Sequence, residues 1–272
     1  EFDEKSRQPD PKRLFRAYSQ SASTLNLIRA FSNGGFSGLR HFKLWNSAHF
    51  QGFENKNLTT QIERALSFFS GLGISKNDPI LSQTTLYTSH ECLLLPYESS
   101  LTRKDTLSNR YYDCSAHFLW IGDRTRFLNS SHIEFCRGVH NPIGIKISKT
   151  TDPKELVQII QLLNPTFEFG KIILITRFGK KDLRKYLPPI IKQIQASCQN
   201  VIWCCDPMHG NTHLYMDKKT RYVEDITEEI LGFFEVLRGH NCIPGGLHLE
   251  MTSLPVTECI SKSRQNETVV FS

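Results

Sequence analysis

The sequence predicts an α/β protein with a parallel sheet of the (β/α)8 TIM-barrel type, about six of the eight strands being present. Two observations carry this. Short β-rich runs alternate with amphipathic helical patterns at intervals of roughly 25–45 residues, the signature of βα units. The phosphate-binding loops of doubly wound sheets, GxGxxG and GxxxxGK[ST], are absent, which leaves the barrel as the better of two parallel-sheet solutions.

The first third reads as helix and loop. Lys12–Phe31 is expected as a long helix with Leu14, Phe15, Tyr18, Leu25, Ile28 and Phe31 apolar. Asn33-Gly34-Gly35-Phe36-Ser37-Gly38 is a loop, and Thr60–Leu72 is a second helix bearing Ile62, Leu66 and Phe69. Strands are expected at Pro79–Thr85, Ala116–Ile121, Pro142–Ile147, Lys171–Thr176, Val201–Cys205 and Gly246–Met251. Asp152–Leu163 is the clearest helix. Asp152 can cap it, Pro153 fits its first position, Glu155 completes a capping box, and Leu156, Ile159, Ile160 and Leu163 share one face. Pro188–Ser197 carries Ile190, Ile191 and Ile194. Glu224–Arg238 carries Ile226, Ile230, Phe233, Phe234 and Leu237 and stops at Gly239.

Composition narrows the function classes. With 272 residues, 39% hydrophobic and 22% charged, the chain can bury a sizeable core and is too apolar to be disordered. Its net charge of +6 fits small anionic substrates and does not call for nucleic acid. No apolar run approaches the ~18 residues of a membrane span. The eight cysteines form no CxxC pair, and several lie in apolar stretches (Cys136, Cys204, Cys205), as reduced intracellular thiols packed like small hydrophobes would.

In a parallel barrel the chemistry sits at the C-terminal strand ends. The polar residues expected there are Asp123, Arg124 and Arg126, Lys146, Arg177, Asp206 and His209, and His248 and Glu250. Lys146 interrupts Ile143-Gly144-Ile145-Lys146-Ile147, a run otherwise fit for burial, and alternation puts it on one face with Gly144. An inward ammonium that binds an anion and a lysine paired with a carboxylate of a neighbouring strand both satisfy it. Arg177 and Arg124 repeat the pattern one βα unit on either side, as a ligand with carboxylate or phosphate groups requires, although a solvated rim of charge has the same pattern. His209 and Glu250 are of the donor type that binds a divalent cation, and equally of the type that forms a salt bridge. Tyr111-Tyr112 and Phe118-Leu119-Trp120 read as core.

Several long motifs then point one way. They are Arg16–Ala22 (RAYSQSA), Tyr87–Glu98, Ser115–Arg126 (SAHFLWIGDRTR), Arg137-Gly138 with Asn141–Lys146 (NPIGIK), Leu174–Arg177, Asp206–Thr212 (DPMHGNT) and Pro244–Thr252 (PGGLHLEMT). Together they resemble the signature of class II 3-deoxy-D-arabino-heptulosonate 7-phosphate (DAHP) synthases, in wording closest to the plant-like members. The resemblance implies a (β/α)8 barrel that condenses phosphoenolpyruvate with erythrose 4-phosphate, opening the shikimate pathway to chorismate and the aromatic amino acids. It implies a divalent metal, manganese or cobalt, and a homo-oligomer in the cytoplasm or a plastid stroma, with no part for membranes. Asp123, Arg124, Lys146 and Arg177 match phosphoenolpyruvate-binding positions, Asp123 standing where the family usually has Glu. His209 and Glu250 match two of four metal ligands. Lys219, in a KTR segment, and His248 are candidates for the sugar phosphate or for support of the ligands.

The departures shape the remaining expectations. The family's other two ligands, a cysteine near the first strand and an aspartate after the eighth, have no counterpart here. The expected layout is a single incomplete domain: a helical part over 1–75, βα units with the site residues over 76–259, and a divergent tail over 260–272. On that layout this chain by itself is expected to be inactive, and a truncated, non-catalytic fragment or pseudoenzyme of the family is the competing reading.

Overall fold

The computed structural model describes residues 3–34, 38, 56–75, 78–215, 218–251 and 259–264, arranged in two compact units, 1–88 and 89–272. In the first unit, α1 (Pro11–Asn33) starts where Asp10 accepts a hydrogen bond from Lys12 N at 3.0 Å and Pro11 occupies the first turn. Of its expected apolar stripe only Leu14 and Leu25 are half-buried, and Phe15, Ile28 and Phe31 are exposed. α2 (Lys56–Gly71) half-buries the expected Ile62, Leu66 and Phe69 and closes through Gly73, whose φ of +81° suits glycine. Most of the loop 33–38 lies outside the described residues.

Pro79–Thr85 is not a strand. Pro79–Ser82 forms one helical turn, and the backbone of Thr84 is taken by the hydroxyl of Ser32, which accepts from Thr84 N at 3.0 Å and donates to Thr84 O at 2.7 Å. The first strand is instead β1 (Ser89–Glu91).

The second unit is built on βα repeats. After β1 come α3 (Leu95–Leu101), the antiparallel pair β2 (Thr102–Lys104) and β3 (Tyr111–Asp113), β4 (Phe118–Ile121), α4 (Ser131–Gly138), β5 (Ile143–Ile147), α5 (Pro153–Leu163), β6 (Ile172–Thr176), α6 (Leu183–Ala196) and β7 (Ile202–Cys205). A hairpin, β8 (His213–Tyr215) and β9 (Lys218–Tyr222), precedes α7 (Val223–Gly239) and β10 (Pro244–Leu247), and β11 (Cys259–Ile260) runs beside β9. Strands β1, β4, β5, β6, β7 and β10 form one parallel sheet in chain order, the layout of consecutive barrel staves.

The sheet is rolled. Trp120 of β4 and His248, just beyond β10, meet edge to face with ring centroids 4.9 Å apart. Those strands are four places apart in the sheet, which would separate them by roughly 19 Å if it were flat. The outer face packs against the helices through Leu119, Ile121, the three isoleucines of β5, Ile172 and Leu174, meeting Leu156, Ile159, Ile160 and Leu163 of α5. The inner face carries Phe118, Trp120, Gly144 and Lys146. So only Leu119 of Phe118-Leu119-Trp120 is core, and Tyr111 is exposed at the small hairpin.

Two helix starts differ in detail from expectation. Asp152 caps α5 by accepting from Lys154 N and Glu155 N, both at 3.2 Å, while Glu155 accepts from Leu128 N rather than closing a capping box. α6 begins at Leu183, before the two prolines, because Leu183 and Leu187 extend the buried stripe of Ile190, Ile191 and Ile194 upstream. Burying those two leucines outweighs the hydrogen bonds that Pro188 and Pro189 cannot donate. β10 ends at Leu247, which moves His248 and Glu250 from inside a strand to the loop at its C-terminal end.

Rolling the sheet requires a residue without a side chain opposite Trp120. A Cβ on Gly144 would lie 2.6 Å from Phe118 Cζ and 2.8 Å from Trp120 Cβ. Gly144→Ala is therefore expected to destabilise the protein by about 1–3 kcal/mol, the usual cost of overpacking. A lower urea midpoint at unchanged slope is the expected outcome, and an unshifted midpoint would contradict the close approach.

Candidate functional site

The strand ends place the polar residues in one layer. Beyond the strands, Arg177 N donates to Ile147 O (2.9 Å), Asp206 N to Thr176 O (2.7 Å) and His248 N to Cys205 O (2.7 Å). These bonds continue the parallel ladder, so the residues after β6, β7 and β10 are as fixed as the strands themselves. They surround a cavity of about 650 Å³. All eight residues singled out from the sequence line it: Asp123, Arg124, Lys146, Arg177, His209, Lys219, His248 and Glu250.

Asp206 organises the layer. It is fully buried, and its carboxylate pairs with the Lys146 ammonium, accepts from His209 Nδ1 at 2.7 Å, and accepts from Met208 N (3.0 Å) and His209 N (3.3 Å). Burial pushes its acidity towards the neutral form, but the hydrogen bond from His209 and the charge and hydrogen bond of Lys146 overcome this and hold it well below the usual carboxylate range. Lys146 is thus paired with a carboxylate, one that follows β7 two places away rather than one on a neighbouring strand, and it lines the cavity. Its Nζ also lies 5.7 Å from the centre of the Trp120 ring. An ammonium has three donors, so pairing with Asp206 leaves capacity for a further acceptor.

His209 bridges two carboxylates. With Nδ1 on Asp206, its Nε2 lies 3.1 Å from Glu250 Oε1. Arg221 holds Glu250 from the other side at 3.1 Å and is itself anchored by donating from Nε to Met208 O at 2.9 Å. Burial, then the nearby Lys146 charge, lowers the pKa of His248 and favours its neutral ring against Trp120. Among the described residues no set of three or more His, Cys, Asp or Glu side chains is arranged to hold a metal ion.

Asp123 accepts from Arg177 Nη1 at 3.3 Å and from Arg126 Nη2 and Ser148 Oγ at 3.2 Å. Arg126 is no rim cation: it is buried and donates from Nε to Lys146 O, tying β4 to β5. Arg177 keeps Nε buried without a hydrogen bond among the described residues. Arg124 and Lys219 are exposed in the cavity wall, with no carboxylate partner among the described residues. Glu91, Trp120, Thr212 and Arg221 line the cavity as well and were not singled out as site residues, while Asp206, expected at a strand end, was given no role. Alternation within β4 places Trp120 beside Gly144, and Asp206 stands three residues before His209, so both signals were readable. Glu91 sits in a three-residue polar strand with no such mark. Cys204 and Cys205 are packed strand thiols, Cys205 fully buried.

Comparison with known proteins now bears on identity. The model of the class-II DAHP synthetase family matches residues 1–270. The chain belongs to this family. Phospho-2-dehydro-3-deoxyheptonate aldolase of Streptomyces coelicolor is 44% identical over 266 residues, covering 96% of this chain and 58% of that protein. The enzyme of the same name from Mycolicibacterium smegmatis is 41% identical over 271 residues, covering 95% of this chain and 57% of that protein. This member of the class-II family therefore spans just under three fifths of the length of these curated relatives. Among its described residues no helix is long and apolar enough to cross a membrane.

Breaking the buried pair tests the layer. Asp206→Asn leaves the Lys146 ammonium without its counter-charge and should cost about 3–5 kcal/mol at neutral pH. Because the folded-state pKa of Asp206 is depressed, its contribution is present above about pH 4 and drains away as acid is added below it. The gap between the wild type and the variant in urea unfolding should narrow on that acid side. A gap independent of pH would contradict the assignment.

Proposed function

We propose that this site condenses phosphoenolpyruvate with erythrose 4-phosphate to give DAHP and inorganic phosphate. The reading is carried by one juxtaposition: Arg124, Lys146, Arg177 and Lys219 face one cavity in which His209 and Glu250 present a nitrogen and an oxygen donor to each other. Phosphoenolpyruvate has a carboxylate and a phosphate, and charge-assisted hydrogen bonds from Lys and Arg are what binds such a molecule. Arg124, Lys146 and the guanidinium of Arg177 supply them. Asp123 only accepts hydrogen bonds, so it would repel these anions. Its part is to orient Arg177 and Arg126. Lys219 is placed to meet the phosphate of the sugar, with His248 packed on Trp120 beside the cations.

The donors fit a divalent cation, manganese or cobalt. Asp206 engages Nδ1 of His209, which leaves Nε2 directed at Glu250, the carboxylate–histidine arrangement common at metal sites. A cation held by His209 and Glu250 would act as a Lewis acid on the aldehyde oxygen of the sugar. The bond forms between C3 of phosphoenolpyruvate and the aldehyde carbon. Water adds at C2 and phosphate leaves from it. Lys146 and Arg177 hold the departing phosphate and the carboxylate throughout, and the buried Asp206–Lys146 pair keeps the ammonium in place. Assembly as a homo-oligomer and action in the cytoplasm or a plastid belong to the same proposal by resemblance to the family.

The test is a metal titration paired with an assay of phosphoenolpyruvate consumption. His209→Ala should abolish both the Mn2+ bound in an electron paramagnetic resonance titration and the metal-dependent turnover. Unchanged binding would leave His209 and Glu250 as a salt bridge and refute the ligand role. Arg177→Lys removes the forked donor and should raise KM for phosphoenolpyruvate about 10–100-fold, the worth of a hydrogen bond to a charged group.

A further inference from the structure

One carboxylate in the second unit is fully buried, belongs to no strand end, and does not line the cavity. Glu229 sits mid-way along α7, inside the stripe that otherwise buries Gly232, Phe233, Val236 and Leu237. Its Oε1 accepts from Phe178 N at 3.1 Å and Gly179 N at 2.9 Å, the two residues after Arg177. Its Oε2 accepts from Asn211 Nδ2 at 2.6 Å, two residues after His209. Asn211 Nδ2 also donates to Pro207 O at 2.8 Å, and Asn211 Oδ1 accepts from Lys180 N at 3.0 Å, so the amide is held in one orientation. The two loops also touch backbone to backbone: a Cβ on Gly210 would fall 2.2 Å from Gly179 N, and Gly179 itself has φ +80°.

We infer that Glu229 is a positioning residue that sets the distance between Arg177 and His209, by holding the loop after β6 and the turn after β7 against each other from behind. The inference rests on the reaction proposed above, in which Arg177 binds the anion and His209 the metal. Each of these groups follows its own strand, and the ladder bonds at Arg177 N and Asp206 N fix where each loop starts. Glu229 fixes where they go next. Desolvation pushes its carboxyl up to about 7 against the pull of Gly179 N, Phe178 N and Asn211, so the ionised acceptor is complete only above that pH.

The donor pattern dictates the variants. In Glu229→Gln the new amide keeps one oxygen for Phe178 N and Gly179 N but turns an NH2 towards the NH2 of Asn211. If Asn211 flips to meet it, Lys180 N loses its acceptor. Adding Asn211→Asp restores an acceptor for both at the expense of the bond to Pro207 O.

At pH 8.5, Glu229→Gln should keep the wild-type circular dichroism and lose about 10–100-fold in kcat/KM, as small misplacements of catalytic groups do. Glu229→Gln/Asn211→Asp should recover at least a good part of that loss. Hydrogen exchange at the Phe178 and Gly179 amides reads the clamp without any substrate: protected in the wild type, faster in Glu229→Gln, slowed again in the double variant. Glu235→Gln, on the exposed side of α7, should change neither. If Glu229→Gln fails to fold, Asn211→Ala, which removes the bonds to Glu229 Oε2, Pro207 O and Lys180 N and leaves those of Oε1, is read in the same way. Active wild type with turnover in Glu229→Gln within twofold overturns the inference, as does a loss that the double variant does not relieve. If exchange responds as expected but the wild type forms no DAHP, the proposed reaction falls and the clamp stands.

Discussion

The pairing of Lys146 with Asp206 across the inside of the rolled sheet is the interaction on which the rest of the second unit depends. It joins the C-terminal end of β5 to that of β7 over the intervening β6. Two charges buried together are costly to desolvate, and the arrangement persists only because every remaining acceptor position of Asp206 is also used. The same carboxylate that neutralises Lys146 accepts hydrogen bonds from His209 Nδ1 and from two backbone amides. One buried group therefore fixes both the inward ammonium of Lys146 and the imidazole of His209. Gly144 makes the room: a Cβ there would collide with Phe118 Cζ and Trp120 Cβ, beside the ring that the Lys146 ammonium approaches.

Around this pair the charges divide into two kinds. Asp123, Asp206 and Glu250 each hold a cation in place, Arg177, Lys146 and Arg221 respectively. Arg124 and Lys219 have no such partner among the described residues and lie at the surface of the cavity. Oriented cations with spare donors, next to exposed cations with no partner, are what binding a doubly charged small molecule requires. A mere solvated rim would leave none of these groups buried.

Much of this was legible in the sequence, for physical reasons that can be named. Helices α5 and α7 announced themselves because a 3.6-residue apolar stripe and a capping Asp or a closing Gly coincide. Lys146 stood out because a charge inside an isoleucine run has to be explained. β1 was hidden because Ser89-His90-Glu91 is short and polar, while Pro79–Thr85 is apolar enough to pass for a strand until Ser32 claims the backbone of Thr84. Arg126 and Arg124 look alike in sequence, and only burial separates the strut from the rim. Glu229 was the larger omission, and Asp206, though expected at a strand end, was given no role. Each stood in a readable place, one three residues before a histidine, the other at an inward position of an amphipathic helix, but a carboxylate's partners come from distant segments that periodicity does not report.

The central claim is that one layer, organised by Asp206, presents anion-binding cations and a metal-binding histidine to the same small molecule. A crystal structure with phosphoenolpyruvate and Mn2+ tests it most directly. The account predicts anomalous scattering from manganese beside His209 Nε2 and Glu250, with the phosphate and carboxylate of the ligand against Arg124, Lys146 and Arg177 and the Lys146–Asp206 pair intact. Manganese bound elsewhere, or phosphoenolpyruvate seated away from Lys146, would contradict it.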